Sequence, residues 1–326
     1  MRLAYALPMP ILPTLRSLLK PLSLGGMTAL GLVLASCSTP SESPLHERNR
    51  AALAGSASLS DNPRISYSAP QILNGSQWDP KERQRSGLGY TEDDFSTFRR
   101  NGARGYIART GKGDLVDSKA VRFLRAANRQ GMLLGTYHYY LPNRPVTWQA
   151  DRYVNRVRAV SREAGVTGKP ILLVADFDSK TKSRDMLAFL QRVEQRTGVR
   201  PVVYLENGDS LRRELRSASP SVKSQLRRYP LWIALYSHEA PPNSLVDLGR
   251  PLTPELNARS YGVWKDYAIW QYGGVLWENR RSRPKVYNHG SFRAPAYFGN
   301  LDRPVERNVF KGGNLNSFWA AHSWTP

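Results

Sequence analysis

From Gln71 onward, short apolar runs alternate with stretches in which apolar residues recur every third or fourth position. Runs at 71–74, 105–109, 132–140, 171–178, 201–205, 231–236, 267–272 and 305–310 have strand length and strand-like composition. Between the early runs, 117–130 opens with Asp-Ser and sets Val121, Leu124 and Ala127 on one helical face. Stretches 147–164 and 185–197 repeat the theme, the second through Met186, Phe189, Leu190 and Val193. These stripes read as core. Strand–helix alternation predicts parallel strands and an α/β fold. Eight candidate strands in about 250 residues suit an irregular TIM-like (β/α) barrel better than an open sheet. The second half breaks the pattern. Between Tyr236 and Tyr267, and between Gln271 and Glu306, Pro and Gly abound without helical spacing. Long loops rather than helices are therefore expected to join the last strands.

The first residues follow a different logic. Residues 1–36 hold Arg2, Arg16 and Lys20, no acid, and an apolar stretch from 22 to 34, the layout of an export signal. The stretch ends Leu34-Ala35-Ser36-Cys37, which resembles the lipobox of bacterial lipoproteins. That resemblance implies lipidation of Cys37 and an exported chain held on the cell envelope, at the outer membrane if the host has one, as Ser38 after the Cys would suit. A plain signal peptide or a membrane anchor is the alternative. A spanning helix needs about 20 apolar residues, and this run is shorter and broken by Gly25-Gly26. Residues 37–66, rich in Ser, Pro, Glu and Arg, read as a flexible tether, leaving 67–326 as one barrel domain.

Composition narrows the chemistry. With 40% hydrophobic residues and eight Trp, the chain can bury a large core. One Cys excludes an internal disulfide, and the five His show no metal-ligand spacing. The formal charge is +21, and loss of residues 1–36 leaves +18. Such an excess suits anionic envelope polymers and equally a generic basic surface. No nucleic-acid-binding motif is present, and Gly111-Lys112-Gly113 lacks the spacing of a phosphate-binding loop. A monomer is expected.

In a parallel barrel, function gathers at the C-terminal ends of the strands. The run 171–178 ends Asp176-Phe177-Asp178, and residues two apart on a strand share a face. Two adjacent carboxylates raise one another's pKa, readying one as a general acid, as glycoside hydrolysis requires. Asp178 equally fits a plain helix cap before Ser179. Other runs end in aromatics: Tyr137, Tyr139, Tyr204, Trp232, Tyr236, Trp270 and Tyr272, with Trp78 after the first. Rings around carboxylates suit a sugar-binding groove, although each ring alone is more often core.

These motifs, in this order, resemble glycoside hydrolase family 25, the Chalaropsis-type lysozymes. The likeness runs from Asn74 to Gly312 through Gly105-Tyr106-Ile107-Ala108, Gly135-Thr136-Tyr137-His138-Tyr139, Asp176-Phe177-Asp178, Pro201-Val202-Val203-Tyr204, 231–236, Trp270-Gln271-Tyr272 and 306–312. The resemblance implies hydrolysis of the β-1,4 bond after N-acetylmuramic acid in peptidoglycan, without metal or cofactor. It implies Asp178 as general acid and Asp176 as the group assisting the intermediate. Departures accompany it. Asp178 stands for the family's Glu, Asn74 for an Asp (with Asp79 near), Glu306 for an Asp (with Asp302 near) and Gly111 for a Glu. A barrel that binds peptidoglycan or another envelope glycan without cutting it is therefore the alternative function.

Overall fold

A computed structural model describes residues 70–80, 89–178, 180–235, 253–276, 285–287 and 305–326. The predicted signal, the tether, Cys37, Tyr236 and Asp302 lie outside the described residues.

Eight strands close a barrel: β1 (Gln71–Gly75), β2 (Ala103–Lys112), β4 (Leu133–Tyr139), β5 (Ile171–Phe177), β6 (Val202–Leu205), β7 (Leu231–Ala234), β8 (Ile269–Leu276) and β10 (Glu306–Phe310). β1, β2, β4, β5, β6, β7 and β8 pair as parallel neighbours around the ring. β10 closes it by pairing antiparallel with both β8 and β1. The expectation of parallel strands thus fails at one strand. A parallel neighbour needs a crossover, usually helical, and the sequence between β8 and β10 has no helical spacing. Three short strands decorate the ring: β3 (Leu115–Val116) beside β2, β9 (Lys285–Tyr287) beside β8, and β11 (Ser323–Trp324) beside β5.

The three predicted helices are present as α2 (Ala120–Arg129), α3 (Val146–Ala164) and α4 (Ser183–Thr197). α3 and α4 each end on a glycine with left-handed backbone, Gly165 and Gly198, the conformation that stops a helix cleanly. α1 (Glu92–Arg100) precedes them, opened by a capping box between Thr91 and Asp94. α5 (Asp209–Ser217) and α6 (Pro220–Leu226) follow β6, and α7 (Pro254–Ser260) lies between β7 and β8. The last connections are therefore not wholly helix-free. α7 spans under two turns, too short for a periodic apolar stripe to show.

Strand alternation separates two apolar layers. Outward residues such as Leu73, Tyr106, Leu134, Leu173, Val203 and Ile233 pack with the helices. Inward residues Ile72, Ile107, Leu172, Val174, Val202, Trp232, Ile269 and Phe310 fill the barrel. The N-terminal end of the barrel is plugged by α8 (Leu315–Ala321), whose Leu315 and Trp319 join this inner cluster. The Trp319 indole N–H donates to the Leu134 carbonyl at 2.7 Å. Room for its ring comes from two glycines. A Cβ at Gly105 would meet the ring at 3.0 Å, and one at Gly135 would meet Ile107 at 2.8 Å and the ring at 3.3 Å.

Trp319→Ala removes the plug and is expected to cost about 3–5 kcal/mol. A denaturant midpoint unchanged from wild type would show that the plug carries no such weight.

Candidate active site

With the lower barrel filled by apolar side chains, the inward positions at the strands' C-terminal ends surround a cleft of about 250 Å³. β5 contributes Asp176, β4 Tyr137 and Tyr139, β6 Tyr204, and β7 Trp232. β2 contributes Arg109, β8 Gln271, β1 Asn74 and β10 Glu306. Glu206, just past β6, and Ser76, Trp78 and Asp79, just past β1, complete the lining.

Asp176 is 7% exposed, and its Oδ1 is buried with no hydrogen-bond partner among the described residues. Burial pushes its pKa well above the usual carboxylate range. The Glu206 charge pushes it further, Arg109 opposes, and Asp178 adds a smaller increment. Burial of this kind favours the protonated form of the carboxyl.

Opposite it lies a chain of amides. Tyr204 Oη donates to Gln271 Oε1 at 2.6 Å, and Gln271 Nε2 donates to Glu306 Oε2 at 3.2 Å and to Asn74 Oδ1 at 3.4 Å. Asn308 Nδ2 donates to the same Asn74 oxygen at 2.8 Å, and the Trp232 indole donates to Asn308 Oδ1 at 3.0 Å. Asn74 and Glu306 face each other across the β1–β10 ladder. A carboxylate at 74 would set two like charges opposite one another; the amide removes that repulsion and accepts both donors.

The remaining wall is built around Asp117, which is fully buried. Its carboxylate takes the Arg109 Nε–H at 3.0 Å, the Gln77 backbone N–H at 2.8 Å and the Lys119 N–H at 3.1 Å. Arg109 is itself buried, and its Nη2 has no partner among the described residues. Asp79 Oδ2 accepts from the Ser76 backbone at 2.6 Å and its hydroxyl at 3.0 Å. That turn presents Trp78, 41% exposed, at the rim.

Residues 89–276, more than half of the chain, match the Glycosyl hydrolases family 25 domain. The chain belongs to glycosyl hydrolase family 25. Its fold is similar to that of a bacterial lysozyme from Streptomyces coelicolor, at 17% identity over 79% of this chain and 99% of that one, with a TM-score of 0.50. It is also similar to the spore cortex lytic enzyme SleM from Clostridium perfringens, at 17% identity over 78% and 70% of the two chains, with a TM-score of 0.51. No curated protein sequence matches the chain. At such identities the structural likeness concerns the fold, an irregular barrel as the strand pattern predicted.

This family-25 barrel distributes the residues singled out in the sequence unevenly. Asn74, Trp78, Tyr137, Tyr139, Asp176, Tyr204, Trp232 and Glu306 share the cleft. Trp270 and Tyr272 do not. Both are buried in the outer layer, the Trp270 indole donating to the Leu235 carbonyl at 3.0 Å and the Tyr272 hydroxyl to Gln71 Oε1 at 2.7 Å. Alternation turns the residue between them, Gln271, into the cleft. Asp178 lies outside the cavity lining. Its Oδ1 accepts from the Lys180 N–H at 3.0 Å and the Thr181 hydroxyl at 3.3 Å, and Oδ2 from the Tyr139 hydroxyl at 3.3 Å. Gly111 pairs with Val116 in the β2–β3 hairpin, where a Cβ would meet the Leu115 carbonyl at 2.7 Å. No side chain fits there without a shift. Asp117, expected to open a helix, instead braces the cleft wall before α2 begins.

Glu206, Arg109 and Gln271 were not singled out in the sequence. Strand parity was the available signal for two of them: Glu206 lies two residues past Tyr204, and Gln271 lies between Trp270 and Tyr272, whereas Arg109 ends the run 105–109 itself. Among the described residues no cluster of three His, Cys, Asp or Glu is placed to hold a metal ion.

A carboxyl whose folded pKa is raised favours folding below its unfolded pKa, and that contribution is lost as pH rises through the folded value. Asp176→Asn, neutral at every pH, is therefore expected to gain stability over wild type between pH 4 and pH 8. Each unit of displaced pKa is worth about 1.4 kcal/mol. Melting temperatures of both proteins at the two pH values check this; a difference independent of pH would contradict it.

Proposed function

We propose that this family-25 barrel cleaves the glycan strands of peptidoglycan at the β-1,4 bond following N-acetylmuramic acid. The observation that carries the reading is Asp176, a buried carboxyl with an unpartnered oxygen at the floor of an aromatic-walled cleft, whose surroundings favour its protonated form. Such a group can give its proton to the glycosidic oxygen as the C1–O bond breaks. Tyr137, Tyr139, Tyr204, Trp232 and the rim residue Trp78 supply ring faces for sugar C–H surfaces. The polar chain from Tyr204 to Glu306 supplies donors and acceptors for hydroxyl and acetamido groups. Arg109 brings a buried positive charge that suits an anionic substituent of the sugar.

The test is release of reducing sugar from purified peptidoglycan. Asp176→Asn is expected to lower kcat by about 10²–10⁴-fold. Wild-type activity should fall as pH rises through the raised pKa of Asp176, because the proton donor is then lost. No turnover by a folded preparation on several peptidoglycans would overturn the reading. The competing reading is a barrel that binds glycan without cutting, favoured by the engagement of Asp178 in its turn. It requires that wild type and Asp176→Asn bind peptidoglycan equally and that neither cleaves it.

We also propose that Cys37 carries lipid and holds the enzyme on the envelope. The reading rests on the resemblance of 34–37 to a lipobox and on the absence of any other Cys in the chain. Labelled palmitate should enter the wild-type protein in cells and not Cys37→Ala. Equal labelling of both would remove the anchor.

A further inference from the structure

The reading of the cleft as a glycosidase site leaves open which carboxylate works with Asp176: Glu306 is tied into the amide network across the cleft, Asp79 holds the Ser76 turn, and Asp178 accepts from Lys180, Thr181 and Tyr139. β5 and β6 run parallel with Val174 beside Val202, Asp176 beside Tyr204 and Phe177 beside Leu205. Continuing that register by one residue sets Glu206 beside Asp178. Paired residues of a parallel ladder share a face, so the position that would carry the family's acid has a Glu on the adjacent strand. Asp178 closes its turn; Glu206 lines the cleft. The extra methylene of Glu206 extends its reach from that strand.

The segment bearing Glu206 is held from behind. Its carbonyl accepts the Tyr261 hydroxyl at 2.7 Å, and Tyr261 is fully buried. Arg212, 2% exposed, donates to the side chains of Asn207 and Asn257, to Ser260 Oγ at 2.7 Å and to Asp209 Oδ1 at 3.4 Å. A buried guanidinium with these partners ties the segment that follows the carboxylate to the helix bearing Asn257 and Ser260, the kind of support that a catalytic group requires. The charge of Glu206 also outweighs that of Asp178 at two neighbouring groups, Asp176 and the Tyr139 hydroxyl.

We propose that Glu206, and not Asp178, is the carboxylate that works with Asp176 in bond cleavage. This rests on the glycosidase reading above. Asp176 gives its proton to the leaving oxygen, which keeps the bonding pair as the C1–O bond breaks. Ionised Glu206 stabilises the positive charge at C1, then takes a proton from the water whose oxygen bonds to that carbon. Each turnover consumes one water. It leaves Asp176 ionised and Glu206 protonated, and transfer of that proton back to Asp176 resets the pair.

The full-length protein serves for the test, with two readouts. On purified peptidoglycan, Glu206→Gln is expected to lower kcat by about 10²–10⁴-fold with the circular dichroism spectrum unchanged, and formate should restore turnover to Glu206→Ala. Asp178→Asn, which keeps an acceptor for the turn, should cost far less. In a ¹³C carboxyl titration, the Asp176 midpoint should fall in Glu206→Gln and move less in Asp178→Asn. Wild-type turnover in Glu206→Gln, or an Asp176 midpoint that responds more to Asp178→Asn, would overturn the pairing. Should wild type cleave no peptidoglycan, the glycosidase reading fails, and the titration still decides whether Glu206 is the partner of Asp176.

Discussion

Everything at the mouth of this barrel depends on the inner space being filled from below. Closure of eight strands directs half of all strand side chains toward one axis, and the inner apolar residues with Trp319 occupy its lower part. A barrel so packed has no room for polar groups except at the end left open. Gly105 and Gly135 belong to the same constraint, since they give up side chains where the tryptophan ring must sit. The polar residues are thus gathered at the C-terminal strand ends by exclusion as much as by attraction.

That gathering explains the electrostatics. Asp176 stands on the last apolar layer, near enough to Val174 and Trp232 to be desolvated and near enough to Glu206 to feel its charge. Water would dissipate both effects; a packed floor preserves them. On the other side, Asn74 and Gln271 stand where further acids would crowd Glu306, so only one carboxylate is required to share that network. On the β5–β6 side Asp176 and Glu206 stand as neighbouring charges, whereas on the β1–β8–β10 side Asp79 and Glu306 are taken up by hydrogen bonds.

The strands were legible because each is a short apolar run bounded by turn residues, and all eight barrel strands fall within or close to the predicted runs. Long amphipathic helices were legible for the same reason. Short ones were not: α7 has too few residues for a stripe, although Thr253-Pro254 marks its start. At the site, residue type was easier to read than facing. Trp270 and Tyr272 advertise a sugar platform by composition, yet parity sends them outward and brings Gln271 in. Asp176 was visible from its place at a strand end. Glu206 stands one residue beyond its predicted run, so parity alone pointed to its facing, and its place beside β5 emerges only when the two strands are laid side by side. Arg109 was passed over for the same reason, standing on a strand whose inward register had to be known first.

The brace at Asp117 has a mechanical meaning. One buried carboxylate is bonded both to the guanidinium of Arg109 on the cleft floor and to the backbone beside Trp78 on its rim. Floor and rim therefore share a single fastening, set behind the wall and out of reach of substrate. The position of the rim tryptophan and that of the cation beneath it are therefore set by one and the same buried oxygen, Asp117 Oδ2.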